Sequence, residues 1–465
     1  MSNKLGLGAL SALVLGSMIG AGVFSLPQNM AAVASPLAVT IGWIITGVGM
    51  VFLALAFQAL SHARPDINTG VFGYAKAGFG DLVGFFSAWG YWLSAALANV
   101  SYLVIVFSTL GMFFDTPNHV IFGEGNTVIS VAAATVMVWA IHLLVHRGVQ
   151  TAAVINMVTT VAKMIPLLIL IGGLIYAFST QTFFWDFSGL KTFPGKSLIE
   201  QVKGTMLVTV WVFIGIEGAV VVSSRAKNRK DVGRATIIGL LTALSIYVLV
   251  TLLSMGVIKT PALAAMQNPS AAVVLEHIFG RPGLIIVGLG LIISVGGAFL
   301  SWTLLASEAP YISAKEGMFP ARYGEQSQSG CPTRSLMLTN LVVQVSLIAV
   351  IFVGGTYDSL LAIASEMILV PYLLVGAYAL KLGLEEKARG TALIGFLATV
   401  YGLWLLYASG LEHLLMSSLL YLLGLGFYIR AKHENNKAWF VGSNRWVVIG
   451  LLILAGIALQ HLVFV

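Results

Sequence analysis

A few ionisable side chains lie inside long apolar stretches of this 465-residue sequence. Glu217 belongs to FIGIEG (213–218), Lys163 to VTTVAKMIPLL and Glu366 to IASEMILVPY, while Glu308 lies near the end of such a stretch. A charge at the centre of a membrane-spanning helix costs about 2.5–3.5 kcal/mol even on the lenient insertion scale. Residues of this kind face the interior of a helix bundle, where they mark binding sites or proton paths.

Glycines cluster in the first apolar stretch and around Glu217. The first apolar stretch contains GSMIGAGVF (16–24) with three glycines, and FIGIEG contains two more around Glu217. A helix interrupted at membrane depth exposes backbone groups that lipid cannot satisfy, so they must line a cavity or be buried in protein. Close packing of the GxxxG kind explains the spacing of Gly16 and Gly20. It does not explain glycines next to a buried charge, so we predict that both helices are interrupted.

The elements that carry these residues are membrane spans. Hydrophobic residues make up 58% of the chain and charged residues 9%, whereas about a quarter of a soluble chain is charged. The apolar blocks are about 20 residues long, which spans a bilayer core. The predicted fold class is therefore an all-α polytopic membrane protein. Its thirteen predicted spans are 6–33, 37–60, 82–114, 127–146, 152–178, 199–224, 233–258, 283–311, 335–353, 358–381, 391–409, 412–430 and 446–464.

The distribution of Lys and Arg predicts the orientation of these spans. Of the 25 such residues, 19 fall on one side of the predicted topology, 5 on the other, and Lys163 lies within a span. Basic loops face the cytoplasm, so we predict a cytoplasmic N-terminus and, with an odd span count, a C-terminus outside. The net charge of +7 is attributed to this bias and not to nucleic-acid binding.

The two predicted interruptions lie in spans 1 and 6, five spans apart. A five-span unit repeated once has inverted topology, and broken helices at matching positions in two such halves point to the binding site of a transporter. An enzyme is not indicated, because the sequence contains no nucleophile–base cluster, phosphate loop or metal-ligand spacing. We therefore expect no catalytic residue, metal or cofactor.

Four segments carry a family resemblance: GSMIGAGVFSLP, VWVFIGIEGA, SWTLLASEAPYISAKEGMFP and ILVPYLLVGAYAL. They resemble the amino acid–polyamine–organocation superfamily, in particular its basic amino acid/polyamine antiporters and the bacterial arginine/ornithine antiporters. The resemblance implies a leucine-transporter-like fold. Its two inverted five-helix repeats would be residues 1–190 and 191–385, with helices 11–13 in residues 386–465 outside the core.

The implied activity is exchange of cationic amino acids, arginine inward and ornithine outward, across the bacterial inner membrane by alternating access. The alternative is a proton- or potential-driven uptake permease for lysine or arginine. The expected partners are these basic amino acids, with lysine as a further candidate, and the lipid bilayer. A homodimer is compatible with the resemblance, because the last two helices form part of a dimer surface in relatives.

The resemblance also implies how a zwitterionic guest is held at the first interruption. The amides of Gly20, Ala21 and Gly22 would bind its carboxylate, since a helix N-terminus attracts anions. The carbonyls near Met18 and Ile19 would accept its ammonium. Relatives often have Gly-Ser-Gly at positions 20–22, so Ala21 removes one hydroxyl donor here.

Further substrate contacts are implied at the second interruption and in spans 3, 6, 8 and 10. They are Asn99, Trp211, Ile214, Gly215, Glu217, Trp302 and Glu366. Trp302 would stack on a cationic group, and Trp211 would close over the guest. Structural roles stay open: Glu217 could bond Lys163 or amides of the broken helix, Glu366 could face another helix, and Asn99 could bond between helices.

Some relatives carry a lysine at the position of Lys163, where its ammonium stands in the place of the sodium ion of sodium-coupled cousins. Two hypotheses follow. Lys163 is either a fixed charge that pins span 5 to the broken span 1, or a group that burial can deprotonate and that carries a proton during transport. The sequence does not choose between them.

Overall fold

The structure is a computed structural model that describes residues 6–67, 69–147, 149–221, 226–228, 230–327, 330–442 and 444–464. Helices dominate it, and the described residues contain no strand beyond one isolated bridge between Thr116 and His119. Within them, ten helices are long and apolar enough to cross a membrane, or eleven if one bent pair counts as a span. The chain is therefore an all-helical, multi-pass membrane protein.

In chain order the helices are α1 (Leu7–Met18), α2 (Gly22–Ala31), α3 (Pro36–Ala63), α4 (Val71–Phe79), α5 (Asp81–Phe114), α6 (Val128–Arg147), α7 (Val149–Ala177), α8 (Thr180–Phe183), α9 (Leu198–Phe213), α10 (Gly218–Val221), α11 (Lys230–Val257), α12 (Thr260–Ala264), α13 (Ser270–Phe279), α14 (Arg281–Lys315), α15 (Thr333–Val353), α16 (Tyr357–Glu385), α17 (Arg389–Ser409), α18 (Leu411–Glu434) and α19 (Asn444–Phe464). Each predicted span overlaps one of these helices, although residues 222–224 lie outside the described ranges. The count of thirteen spans stays a prediction.

The first predicted interruption is present. Helix α1 ends at Met18, α2 begins at Gly22, and the two are bent by 43° relative to each other. Ile19 leaves the helical conformation with φ −78° and ψ 84°. A Cβ atom at Gly20 would lie 2.6 Å from the hydroxyl oxygen of Tyr102, so a side chain there would require the Tyr102 ring to move.

The second interruption separates α9, which ends at Phe213, from α10, which begins at Gly218. Gly215 has φ +111°, a conformation that L side chains rarely adopt. A Cβ atom there would also lie 2.9 Å from the carbonyl carbon of Ser17. The two interruptions touch, since the Ser17 hydroxyl donates a hydrogen bond of 2.9 Å to the carbonyl of Gly215.

Three long helices surround this junction. In α5, α14 and α16, the most apolar segments are 72%, 67% and 67% buried within the protein, against 17% for α19. The contacts of α1 and α9 with these helices therefore place the interruptions inside the bundle, whereas α19 lies at its lipid-facing edge.

Contacts between loops divide them into two faces. On one face, Lys76 donates a 2.6 Å hydrogen bond to Glu316, and the Ala321 amide donates one of 2.8 Å to Glu434. On the other face, the segment after α7 bonds both the start of α3, through Leu37, and the end of α11. This grouping agrees with the predicted loop pairing, and which face is cytoplasmic stays a prediction.

Candidate functional site

The side chain of Lys163, which belongs to α7, contacts the C-terminal end of α1. Its ammonium donates hydrogen bonds of 2.7 Å to the carbonyl of Gly16 and 2.5 Å to that of Ile19, and the residue is 1% exposed. The last carbonyls of a helix lack intrahelical partners and carry a partial negative charge. Lys163, on α7, therefore caps the interrupted helix. The Ile19 carbonyl predicted for a guest ammonium already has this donor, although a carbonyl can accept a second one.

The start of α2 presents free donors. The N–H groups of Ala21 and Gly22 donate to no other group in the part of the chain that the structure describes, whereas Gly20 donates to the Met18 carbonyl at 2.9 Å. Free amides at the positive end of a helix form an anion site. Two of the three amides predicted for a carboxylate are therefore available, and the third is engaged.

Aromatic side chains enclose these amides. The Trp211 ring lies 6.0 Å from that of Tyr102, and a Cβ atom at Gly22 would lie 3.0 Å from the Trp211 indole. The indole N–H donates a 2.9 Å hydrogen bond to the hydroxyl of Tyr357, which also accepts one of 3.1 Å from Ser25. Helices α9, α16 and α2 are thus joined through one phenolic oxygen.

Glu217 bonds within the second interruption. One carboxylate oxygen accepts hydrogen bonds from the Tyr372 hydroxyl at 2.8 Å and the Gly215 amide at 3.3 Å. Its other oxygen is buried, and the Tyr91 hydroxyl lies beside the carboxylate. Within the described ranges no ion pair joins Glu217 to Lys163, so the suggested bond to backbone amides is present and the suggested pairing with lysine is not.

Trp302 and Asn99 belong to the same cluster. The Trp302 indole donates a 3.4 Å hydrogen bond to the carbonyl of Ser17. The Asn99 amide nitrogen donates one of 3.4 Å to Thr303, the next residue along α14, and its buried oxygen meets no donor among the described residues. The Trp302 side chain therefore lies at the end of α1, and Asn99 lies against the neighbouring turn of α14.

Glu366 does not join this cluster. Its buried carboxylate pairs with His413 of α18. At 3.6 residues per turn, Glu366 points about half a turn away from Tyr357 on α16. The predicted role of Glu366 as a substrate contact has no support in this geometry, and the alternative that it faces another helix describes its position.

Sequence reasoning missed the tyrosines that complete the cluster, and a signal for them exists. A phenolic hydroxyl buried in an apolar span needs a hydrogen-bond partner, so the tyrosines of span 3, of span 10 and directly before span 10 are candidate site residues. Those that complete the cluster are Tyr91, Tyr102, Tyr357 and Tyr372.

Together these groups offer free amides at a helix N-terminus, two indole rings and an unpaired amide oxygen. Such a site suits a guest with both a carboxylate and a cationic group. The model of a family described as amino acid permease matches residues 5–458.

Curated relatives align over almost the whole chain. The chain is 51% identical to a putative arginine/ornithine antiporter of Escherichia coli (strain K12), with 98% of each chain covered. It is 49% identical to an arginine/ornithine antiporter of Pseudomonas aeruginosa, over 98% of this chain and 97% of the relative. An arginine/agmatine antiporter of Chlamydia pneumoniae is 41% identical over the same shares.

Proposed function

The chain belongs to the amino acid permease family, and we propose that it is a secondary transporter that exchanges arginine for ornithine across the bacterial inner membrane by alternating access. The names of its relatives, which are arginine/ornithine antiporters, support this substrate pair. The observation that carries the proposal is the pair of free amides at Ala21 and Gly22, enclosed by aromatic rings where two interrupted helices meet. Both substrates carry one positive charge, so one-for-one exchange moves no net charge.

The substrate carboxylate lies on the amides at the start of α2. Its α-ammonium lies on the opposite side of the interruption. The carbonyls of Met18 and Ile19 are available there at the end of α1, and those of Ile214 and Gly215 follow the end of α9. This division follows from the two helix ends, one of which carries a positive and the other a negative partial charge.

The cationic end of the side chain lies toward α5 and α14. The free oxygen of Asn99 accepts from it, and the Trp302 ring supplies a π face, a contact that gains up to about 2 kcal/mol when desolvated. Trp211 closes over the guest. Glu217 is the nearby acidic side chain, held in place by the Tyr372 hydroxyl and the Gly215 amide.

The proposed architecture is the leucine-transporter-like one with thirteen spans. Residues 1–190 and 191–385 form inverted repeats, residues 386–465 lie outside them, the N-terminus is cytoplasmic and the C-terminus is outside. The contact between Ser17 and Gly215 supports this plan, because equivalent broken helices of two inverted repeats meet at the binding site.

The test uses proteoliposomes loaded with labelled ornithine. We expect no efflux in buffer alone and rapid efflux once arginine is added outside. Net uptake of arginine or lysine driven by a pH gradient or membrane potential, without internal substrate, would instead support the uptake permease and overturn the exchanger.

A counterflow panel tests the carboxylate site. Arginine, ornithine and lysine are compared with agmatine and putrescine, which keep the cationic groups and lack a carboxylate. We expect agmatine and putrescine to exchange at least tenfold more slowly, since losing one charge-assisted contact costs about 1.5–3 kcal/mol. Equal rates for arginine and agmatine would show that the α2 amides do not bind the substrate.

A further inference from the structure

A groove of about 600 Å³ runs along the outside of the bundle between α3 and α11. Its walls are apolar and include Trp43, Ile44 and Val48 of α3 and Leu244 and Leu252 of α11. Ile44 and Val48 are 61% and 54% exposed, so the groove opens toward lipid. None of its lining residues belongs to either helix interruption.

The groove has the length of one lipid leaflet. On α3 its lining extends from Thr40 to Phe52, which is about 18 Å at 1.5 Å per residue. Half of a typical hydrocarbon core is about 15 Å. A single extended acyl chain fits such a groove better than a compact molecule does.

Two lysines lie at one end of the groove. The segment that follows α7 crosses this end, because Leu37 at the start of α3 donates to the carbonyl of Phe187, and Ser179 donates to that of Gly256 near the end of α11. Trp185 belongs to this segment. The ammonium groups of Lys191 and Lys259 lie 5.0 Å and 5.1 Å from its ring centre.

Neither lysine is held in an ion pair by the described residues. In the described part of the chain neither ammonium forms an ion pair within 4 Å. The adjacent carboxylate of Asp186 instead accepts from the backbone amides of Lys191 and Thr192 and from the Thr192 hydroxyl. The Lys191 ammonium donates one hydrogen bond of 3.4 Å to the Trp185 carbonyl and lies near Asp186, so the two ammonium groups keep further N–H donors for an anion.

We propose that this groove binds an anionic phospholipid, with one acyl chain between α3 and α11 and the phosphate at Lys191 and Lys259. Phe184 and Leu190 in the same segment are 60% and 78% exposed, as expected of apolar side chains at headgroup level, where aromatic belts occur. Basic residues near the surface attract anionic lipids.

The lipid would also contact a tryptophan that packs against the end of α9. The Trp43 ring forms part of the groove wall and packs at 6.3 Å against the ring of Phe213, the last residue of α9. It also stacks on Tyr247, whose hydroxyl donates to the carbonyl of Val212. A bound acyl chain would therefore press on the residues that precede the second interruption.

The experiment measures phospholipid retention by the purified full-length protein using native mass spectrometry. The delipidated protein is titrated with dioleoyl phosphatidylglycerol or dioleoyl phosphatidylcholine. We expect tight retention of phosphatidylglycerol alone. The K191Q/K259Q variant should bind it about 25-fold more weakly, since each interfacial lysine contributes about fivefold.

Matched variants separate this site from general surface effects. K196Q/K203Q removes two charges from the same face and should leave retention unchanged. Val48→Trp fills the groove and should weaken retention at least fivefold, whereas Leu168→Trp, at a lipid-facing position of α7 that is 62% exposed, should not. Equal retention of both lipids, equal effects of the two lysine pairs, or unchanged binding in Val48→Trp would each overturn the proposal.

Discussion

Lys163 bridges α7 and the end of α1 through two backbone carbonyls, and this geometry favours the fixed-charge hypothesis. A buried carbonyl left without its donor costs about 1–3 kcal/mol. We therefore predict that Lys163→Ala abolishes arginine/ornithine exchange at every pH from mildly acidic to mildly alkaline. Exchange that persists in this variant while its dependence on a proton gradient disappears would support the proton-carrier hypothesis instead.

A second prediction concerns Tyr357, whose hydroxyl accepts from both Trp211 and Ser25. Tyr357→Phe keeps the ring and removes the acceptor that holds the Trp211 indole over the α2 amides. A hydrogen bond of this kind contributes about 0.5–1.5 kcal/mol. We expect the KM for external arginine to rise up to about tenfold, measured by initial exchange rates in proteoliposomes.

The matched control is Tyr421→Phe, which removes a buried hydroxyl that donates to the Met367 carbonyl, between α18 and α16. It should lower thermal stability about as much as Tyr357→Phe and leave the KM unchanged. A KM that rises equally in both variants would mean that the Tyr357 bond acts only through stability.

At the scale of the helices, the second interruption depends on Gly215. Its φ of +111° and its approach to the Ser17 backbone both exclude a side chain. We predict that Gly215→Ala lowers the unfolding free energy by at least about 2 kcal/mol and abolishes exchange. The measurements are thermal unfolding in detergent and counterflow in proteoliposomes.

Gly172→Ala on α7 provides the comparison, since a Cβ atom there meets nothing within 4 Å. Alanine is favoured over glycine in a helix interior by about 1 kcal/mol, so stability should be unchanged or higher. If Gly215→Ala were equally well tolerated, the strained conformation at the second interruption would not be required.

The interruptions could be predicted from sequence because they depend on local chemistry. Glycines beside a buried glutamate at membrane depth have few structural solutions, and Glu217 does bond the Gly215 amide of its own break. Which side of each helix faces protein and which faces lipid could not be predicted. Lipid-facing and protein-facing sides of a span are both apolar, so periodicity does not distinguish them. The family resemblance places Glu366 at the substrate, whereas in the structure its carboxylate pairs with His413.

Contacts between distant segments were equally inaccessible. Lys163 was recognised as an unusual buried cation, but its bonds to Gly16 and Ile19 depend on how α7 packs against α1. The Tyr372 partner of Glu217 is 155 residues away in the chain. One sequence contains no information on which of many buried hydroxyls meets which carboxylate.

At the scale of the whole molecule, an ion pair fastens α18 to the helices around the interruptions. The ammonium of Lys432 contacts Asp81 at the start of α5, and its side chain is only 4% exposed. We predict that Asp81→Asn, which leaves this cation unpaired, lowers the unfolding free energy by roughly 1–3 kcal/mol, less than for a fully buried pair because Asp81 is 33% exposed.

Two further variants check this prediction by thermal unfolding. Adding Lys432→Met to Asp81→Asn should recover most of the lost stability, because the uncompensated charge is removed. Asp66→Asn breaks the ion pair with Arg64, in which Asp66 is 61% exposed, and should change stability by less than about 0.5 kcal/mol. A loss in the double variant as large as in Asp81→Asn would contradict a role for the pair.

The Lys163 ammonium, which donates to the carbonyls of Gly16 and Ile19, also affects how tightly a cationic substrate binds. If Lys163 stays protonated, as the fixed-charge hypothesis requires, a cationic substrate bound at the interruptions lies near a second positive charge, and like charges repel more strongly where water is scarce. Arginine or ornithine would therefore bind weakly and dissociate readily. Such a transporter favours the exchange of two similar substrates over the accumulation of one of them.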